Sequence, residues 1–424
     1  MPLLHFHIDQ PKEWQKIPAC LCITGWCFAV GQNHVTEIHL ISDPTRFKAR
    51  FPLPRPDVKA IFPTAPGEGT GFEIRATVPP GSHQLRLEAR LSDGSWHPFF
   101  EHSAVITGRR LPRWLGGGDP AELIAFQMPA HAVHPAHPVK NEPLGYNISP
   151  CPLPSISIVT PSFNQAEFLP QTAQSVLQQS HASIDFIVQD GGSSDGSIAV
   201  IRKIAEDNAS SRGNATLRWE SAPDDGQADA IAKGFAKTSG GPEDVMAWIN
   251  SDDFYLPGAL GFVADYFARH PEVDVIYGHR ILVDENSLEI GRWFLPKHDP
   301  EVLRLNDFVP QETLFWRRRI WDKVGGIDPS FRFAMDWDLL LRFQAAGAKI
   351  VRVPYFLACF RIHPAQKTSA QMHSVGQQEI DRLRERTFGR RISPEELESN
   401  PRLIRYLRKS AFIEFLWKLG IRAR

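Results

Sequence analysis

From Ser155 onward, apolar runs of strand length alternate with stretches whose apolar residues recur at helical spacing, which narrows the possible architectures more than any other feature. Ile156-Ser157-Ile158-Val159-Thr160 reads as a buried-type strand, and Ile184-Asp185-Phe186-Ile187-Val188 and Val245-Met246-Ala247-Trp248-Ile249 as two more. Phe168, Leu169, Ala173, Val176 and Leu177 follow helical spacing, with Pro170 admissible only in the first turn. Further helices are expected over 198–205 and 258–268. Such alternation predicts an α/β domain around a largely parallel sheet. The sequence shows no internal repeat.

The residues that follow these strands carry the chemistry. The first strand runs into Pro161-Ser162-Phe163-Asn164, the second into Gln189-Asp190-Gly191-Gly192-Ser193-Ser194-Asp195-Gly196, and the third into Asn250-Ser251-Asp252-Asp253. Open α/β sheets bind ligands in the crevice beyond the carboxyl ends of their strands, so Asn164, Asp190 and the Asp252/Asp253 pair are expected at one edge. Adjacent carboxylates repel unless a cation lies between them or they point apart. Mg²⁺ or Mn²⁺ satisfies such a pair, typically together with phosphate oxygens of a substrate. Metal–diphosphate binding is therefore expected; the alternative is that the pair caps a helix starting near Pro257. The glycines after Asp190 permit close backbone approach, and the helix they open favours an anionic or polar ligand. Asp195 alternatively serves as an N-cap.

The flanks differ in texture. Leu85, Leu87, Ala89 and Leu91 alternate with Gln84, Arg86, Glu88 and Arg90, and similar short runs over 20–28 and 35–41 are separated by Pro- and Gly-rich punctuation. Residues 1–108 are therefore expected to form an all-β sandwich with Trp26 and Trp96 in its core, stacking on sugar rings being the alternative. Residues 109–154 read as a Pro/Gly-rich linker with one short helix near 121–127, and its His131, His134 and His137 as solvated polar residues rather than a metal site. Residues 155–370 are expected to form the α/β domain and 371–424 a helical region. The tail between Arg402 and Arg424 sets Arg402, Arg405, Arg408, Lys409, Lys418, Arg422 and Arg424 against Glu414 alone. Ile404, Leu407, Ala411, Phe412, Phe415, Leu416 and Leu419 fall at helical spacing with Trp417 alongside, a basic amphipathic pattern suited to an anionic membrane surface or to docking on the α/β domain.

Composition sets outer bounds. A length of 424 residues suits two or three domains, and 47 Lys+Arg against 48 Asp+Glu leave no global field that would favour nucleic acid. With 42% hydrophobic and 22% charged residues a mainly disordered chain is excluded. No apolar run approaches the roughly 20 residues that span a bilayer, and no secretory signal is expected at the N-terminus. Five cysteines, with Cys20, Cys22 and Cys27 clustered and Cys151 and Cys359 apart, make no disulfide framework. The three early cysteines read as buried small hydrophobes rather than zinc ligands. A cytoplasmic location is expected.

Taken together, Thr160-Pro161-Ser162-Phe163-Asn164, Ser175-Val176-Leu177-Gln178-Gln179, Asp190-Gly191-Gly192-Ser193-Ser194-Asp195-Gly196, Asp225-Gly226-Gln227-Ala228-Asp229-Ala230, Asn250-Ser251-Asp252-Asp253, Gln311-Glu312-Thr313-Leu314-Phe315-Trp316-Arg317-Arg318, Asp336-Trp337-Asp338 and Phe360-Arg361-Ile362-His363 resemble glycosyltransferase family 2, over about residues 155–370. The resemblance implies a GT-A nucleotide-sugar-binding fold with a mixed, mainly parallel sheet, and an inverting, metal-dependent transfer from a nucleotide-diphosphate sugar, UDP-sugar favoured, to a glycan or lipid-linked acceptor in surface polysaccharide assembly. It also implies residue roles. Pro161, Phe163 and Asn164 would frame the nucleoside and Asp190 would bond the base. Asp225, Gln227, Asp229 and Lys233 would lie near the ribose or diphosphate. Asp252 and Asp253, with His363, would hold Mn²⁺ or Mg²⁺, and Asp252 would also border the nucleotide. Asp336 would be the catalytic base; Gln311, Glu312, Trp316, Arg317 and Asp338 would border the acceptor.

The chain departs from the family pattern at Gln189, Asn250 and Met335, where acidic residues are usual; the last leaves Asp338 as a carboxylate competing with Asp336. The segment around Arg55-Pro56-Asp57-Val58, Phe62-Pro63 and Gly71-Phe72 resembles a β-sandwich module found beside bacterial glycan-assembly transferases. The other readings are an inactive transferase-like sugar-binding scaffold and a sugar nucleotidyltransferase. The latter calls for a Gly-rich basic loop after the first strand, which Pro161-Ser162-Phe163-Asn164 does not provide.

Overall fold

The computed structural model describes residues 3–107 (with breaks at 12–13, 15, 19, 32, 43–44, 63–64, 66–68 and 79–80), 133–140, 144, 152–179, 183–210, 215–363 and 375–421. The expected helix near 121–127, His131 and Cys151 lie outside these residues. The chain divides into two compact units, residues 1–117 and 118–424.

The first unit contains β1 (Leu3–Gln10), β2 (Lys16–Pro18), β3 (Cys20–Val30), β4 (Val35–Ser42), β5 (Thr45–Lys48), β6 (Arg50–Pro54), the short helix α1 (Pro56–Ile61), β7 (Gly69–Thr77), β8 (Gly81–Leu91) and β9 (Trp96–Thr107). One sheet has the order β1-β3-β7-β6 and the other β2-β9-β8-β4-β5. Alternation along β8 buries Leu85, Leu87, Ala89 and Leu91 against Ile23, Phe72 and Ile74 of the first sheet, so the two inner faces share a core. Trp26 and Trp96 are only half-buried, contrary to the core expectation. Trp26 packs beside Phe28 and Phe62, and Trp96 sits under the guanidinium groups of Arg46 and Arg90. Cys27 is buried as expected, but Cys22 is exposed on the outer face of β3.

Among the described residues the second unit opens with β10 (Val133–Pro138) and then alternates: β11 (Ile156–Ser162), α2 (Leu169–Leu177), β12 (Ile184–Asp190), α3 (Ser197–Ala209), β13 (Ala215–Ser221), α4 (Gln227–Ala236), β14 (Val245–Trp248), β15 (Phe254–Tyr255) and α5 (Ala259–Arg269). It continues through β16 (Val275–Val283), β17 (Leu288–Trp293), α6 (Pro300–Leu305), β18 (Phe315–Arg317), α7 (Arg318–Val324), α8 (Met335–Ala345), β19 (Ile350–Arg361), α9 (Gln377–Phe388), α10 (Pro394–Ser399) and α11 (Pro401–Lys418). The ten-stranded sheet runs β10-β17-β16-β18-β14-β11-β12-β13, with β19 pairing β15 and β16. It is parallel through β14-β11-β12-β13 and between β16 and β19, and antiparallel elsewhere.

Register aligns the informative ends: Ser162 lies opposite Asp190, Asp190 opposite Ser221, and Val159 opposite Trp248. The chain passes from β11 to β12 and β13 on one side, then returns to place β14 on the other. That reversal opens a crevice beyond the β11 and β14 ends. Helices cover the sheet by their apolar stripes; α2 buries Leu169, Thr172, Ala173 and Val176, the spacing of one helix face. On α4, a Cβ at Gly234 would meet Val159 Cγ1 at 2.5 Å, so glycine there lets the helix lie directly on β11.

The last helix, α11, docks on this unit. Leu403 and Tyr406 are buried, while Ile413 and Trp417 pack against a cluster that includes Phe294 and Phe356. The docked stripe therefore differs from the expected one, and Phe412, Phe415 and Leu419 remain exposed. Among the described residues no helix is long and apolar enough to cross a membrane.

Candidate active site

A cavity of about 710 Å³ opens at the carboxyl edge of the sheet, a volume suited to a small-molecule ligand. Of the expected residues, Pro161, Phe163, Gln227, Asp252, Gln311, Glu312 and Asp336 line it, though they span more than 170 positions of sequence. Phe163 projects with 61% of its surface exposed.

The Asp190 carboxylate is fully buried and accepts from Ser193 Oγ (2.5 Å), Ser193 N (2.9 Å), Gly192 N (3.1 Å) and Ser221 Oγ (2.7 Å). Four donors from its own loop and the neighbouring strand end hold it, and it is not among the residues lining the cavity. Asn164, held at φ 52°, likewise accepts from Ser194 N through Oδ1 and donates its backbone N–H to Ser193 Oγ at 2.8 Å. Both residues shape the loop, and the cavity itself is met by Gly191 and Asp224. A Cβ on Gly191 would lie 2.6 Å from Asp224 Oδ2, so glycine is what allows that carboxylate its position. Asp195 precedes Gly196, the N-cap of α3, and its carboxylate accepts from Ala166 N and Ser197 N.

Asp225, Asp229 and Lys233 fall outside the lining. Asp225 N donates to Asp229 Oδ2 (2.9 Å), and Lys233 Nζ pairs with the same oxygen at 2.7 Å. Gln227 faces inward and donates to Asn250 Oδ1 at 2.7 Å, tying the α4 start to the acidic turn.

In that turn the two carboxylates point apart. Asp252 Oδ2 lies 3.1 Å from His363 Nε2 at the end of β19, and the His363 ring packs on Phe168. Asp253 is buried; its Oδ1 accepts the Arg361 N–H at 3.0 Å, and Thr172 Oγ1 donates to its backbone carbonyl. Burial, reinforced by the Asp252 charge, pushes the Asp253 carboxyl well above the ordinary carboxylate range. Asp252 thus meets the cavity, with His363 and Asp253 buried behind it.

Asp336 enters from the first turn of α8. The segment before it is fixed by Glu379 of α9, whose carboxylate accepts from Arg332 N (2.7 Å), Phe333 N (2.8 Å) and Ala334 N (2.9 Å). Behind Asp336, Trp337 is anchored by its Nε1–H to Leu303 O at 2.7 Å. Glu312 forms a bidentate pair with Arg280 (2.7 Å each), whose guanidinium lies 4.2 Å from the Phe360 ring centre. Gln311 Nε2 donates to Trp248 O.

Three residues expected at the acceptor lie elsewhere. Trp316 is fully buried in the core against Phe235, Trp248 and Trp321. Arg317 donates to the backbone carbonyls of Phe267, His270, Val273 and Glu243. Asp338 is buried on the opposite side of α8, paired with Arg342 and Arg386 at 2.7 Å. The strand β18 lies inside the sheet, so its side chains go to core rather than cavity.

Residues 157–326 match the profile of the family described as Glycosyl transferase family 2. Over 210 residues the chain is 30% identical to an uncharacterized glycosyltransferase of Mycobacterium tuberculosis, a match covering 49% of this chain and 73% of the relative. The chain belongs to glycosyltransferase family 2. It is also 28% identical over 234 residues to an uncharacterized glycosyltransferase of Nostoc sp., covering 53% of this chain and 70% of that one. To an O-antigen biosynthesis protein of Myxococcus xanthus it is 27% identical over 296 residues, 69% of this chain but 22% of the relative. Among solved structures, a mannosyltransferase from Pyrobaculum calidifontis in complex with GDP-Man and Mn²⁺ aligns with a TM-score of 0.45 at 14% identity, over 67% of this chain and 80% of the other.

In this glycosyltransferase the cavity also presents Asp224, Arg280 and Asp307, which the sequence reading passed over. Asp224 directly precedes the quoted Asp225 string, and a carboxylate after the β13 end was a usable signal. Arg280 and Asp307 carry no local signal. Asp307 is buried, and burial together with the nearby Asp336 charge raises its carboxyl well above the ordinary range.

Proposed function

We propose that this family 2 glycosyltransferase is metal-dependent and inverting, moving a sugar from a nucleotide diphosphate, with UDP-sugars preferred, to a hydroxyl of a glycan or lipid-linked acceptor in surface polysaccharide assembly. The observation that carries the reading is that Asp252, with His363 behind it, and Asp336 face one cavity. A carboxylate oxygen and an imidazole nitrogen 3.1 Å apart suit a divalent cation such as Mn²⁺ or Mg²⁺, which when bound supplies charge neutralisation for a departing diphosphate.

The chain's own residues do the rest. Gly191 and Asp224 border the nucleoside side of the cavity, where the exposed Phe163 ring offers a stacking surface. Arg280, pinned by Glu312, keeps a fixed positive charge in the wall. The acceptor hydroxyl gives its proton to an Asp336 carboxylate oxygen as its own oxygen bonds to the anomeric carbon. The bond from that carbon to the diphosphate oxygen breaks on the opposite face, so configuration inverts. General-base help of this kind is worth roughly 10²–10⁴-fold. The Myxococcus xanthus relative, named for O-antigen biosynthesis, supports a surface-glycan setting. A lipid-linked acceptor also accords with the outer face of α11, where Phe412 and Phe415, and Leu419 and Ile421 just past its end, are exposed along with Arg405 and Arg408, a composition suited to the anionic inner surface of the cell membrane.

The test is Asp336→Asn, assayed against a screen of sugar nucleotides with Mn²⁺ and Mg²⁺. Transfer should fall at least about 10²-fold with nucleotide affinity retained. Turnover near that of the unaltered enzyme would remove Asp336 from the role.

A further inference from the structure

Away from the cavity, a second group of potential ligands assembles at the sheet edge formed by β10. In the β10–β17 ladder His137 lies directly opposite Glu289. The His134 and His137 rings are stacked, with centres 4.6 Å apart and an angle of 1° between their planes. One ligand atom from each of His134, His137 and Glu289 lies within 4.8 Å of the other two.

The tautomers follow from the partners. His134 Nδ1 is 3.1 Å from the Pro135 carbonyl oxygen, and His137 Nδ1 is 2.9 Å from that of Pro138. A carbonyl oxygen only accepts, so each Nδ1 carries a hydrogen and each neutral ring keeps its lone pair on Nε2. A backbone carbonyl bonded to the remote ring nitrogen is the usual support of a metal-binding histidine. His134 Nε2 then faces Glu289 Oε1 at 3.5 Å, lone pair toward lone pair. That approach is repulsive unless a cation or a proton lies between them.

Glu289 is built for permanence. It is 1% exposed, and Arg292 grips it through two bonds of 2.6 and 2.9 Å. The Arg292 guanidinium is in turn held 4.7 Å from the Phe356 ring centre and 4.9 Å from that of Trp417 on α11. The two histidines are half-buried, which leaves solvent access for a water ligand. Two imidazoles, one carboxylate oxygen and one water make a four-coordinate N/O set that suits Zn²⁺.

We propose that His134, His137 and Glu289 bind one Zn²⁺ that fastens β10 to the edge of the catalytic sheet. None of the three lines the cavity, so the site is separate from the nucleotide-sugar metal and independent of the proposed function. A bound cation would lock an edge strand whose ladder with β17 is short and irregular, and would thereby protect the sheet edge.

The experiment uses the full chain without a histidine tag. Zn²⁺ is titrated against a competing chelator, and the thermal midpoint is followed with and without Zn²⁺. The unaltered protein should bind one more Zn²⁺ than His134→Gln/His137→Gln, and its midpoint should rise with Zn²⁺ where the double variant's does not. The single variant His137→Gln should bind at least about tenfold more weakly. Asp252→Asn should keep the full Zn²⁺ response, which separates this site from the catalytic one. Equal Zn²⁺ stoichiometry in the unaltered and doubly substituted proteins would overturn the proposal. So would a His134 that titrates as an imidazolium paired with Glu289 and excludes Zn²⁺ at neutral pH.

Discussion

Glu379 is the support on which the position of Asp336 rests, and replacing it separates positioning from chemistry. Its carboxylate takes three successive backbone N–H groups, those of Arg332, Phe333 and Ala334, at 2.7–2.9 Å. In Glu379→Ala the Arg332 N–H recovers water, since that residue is exposed, but Ala334 is buried and Phe333 half-buried. Two poorly solvated donors at about 1–3 kcal/mol each place the expected loss of stability at about 3 kcal/mol. The chain at 332–334 then has no fixed anchor, and displacement of a catalytic group by about 1 Å costs on the order of 10²-fold in rate. Urea unfolding gives the first quantity and steady-state kinetics the second. We expect kcat to drop by that order while the donor KM changes little, because Glu379 does not touch the cavity. Glu379→Gln, which keeps one carbonyl acceptor, should fall between the two. A Glu379→Ala enzyme with unchanged stability and unchanged kcat would refute the reasoning.

Gly234→Ala should cost about 1–3 kcal/mol by forcing α4 off Val159, measured as a lower urea midpoint; an unaltered midpoint would show that the helix–strand contact is looser than it looks. His279 is buried, accepts the Leu295 N–H on Nδ1, and has its pKa lowered by burial and by Arg352 from 6.5 to about 3. The unfolded chain therefore binds the extra proton first, so this residue's contribution is present above pH 6.5 and is lost as pH falls toward about 3, at roughly 1.4 kcal/mol per pH unit. His279→Gln keeps the acceptor and removes the titration, and should flatten the acid side of the stability profile; identical slopes would sink this account.

How far the sequence could be read depended on the kind of residue. Strand–helix alternation from Ser155 located the sheet, and each polar string after a strand was correctly expected at one edge, because register in parallel strands aligns their carboxyl ends. That Asp252 and Asp336 would meet one cavity was legible for the same reason: one follows a strand end and the other opens a helix. The contacts of Asp190 were not legible. Its string was right, but its side chain turns back to four donors in its own neighbourhood, an outcome decided by loop closure.

The remaining errors share one cause. Trp316, Arg317 and Asp338 were expected near the acceptor from their strings, yet β18 is sandwiched inside the sheet and Asp338 faces Arg342 and Arg386. The approach of His134 to Glu289 likewise left no local signal, because Glu289 lies about 150 residues away. Periodicity along the chain determines which face of a strand or helix turns from water, since that depends only on local geometry and apolar spacing. Which charged groups then meet across a cavity, as Arg280 with Glu312 or Asp252 with His363, was decided by how distant segments pack, because no local rule relates side chains that only chain reversal brings together.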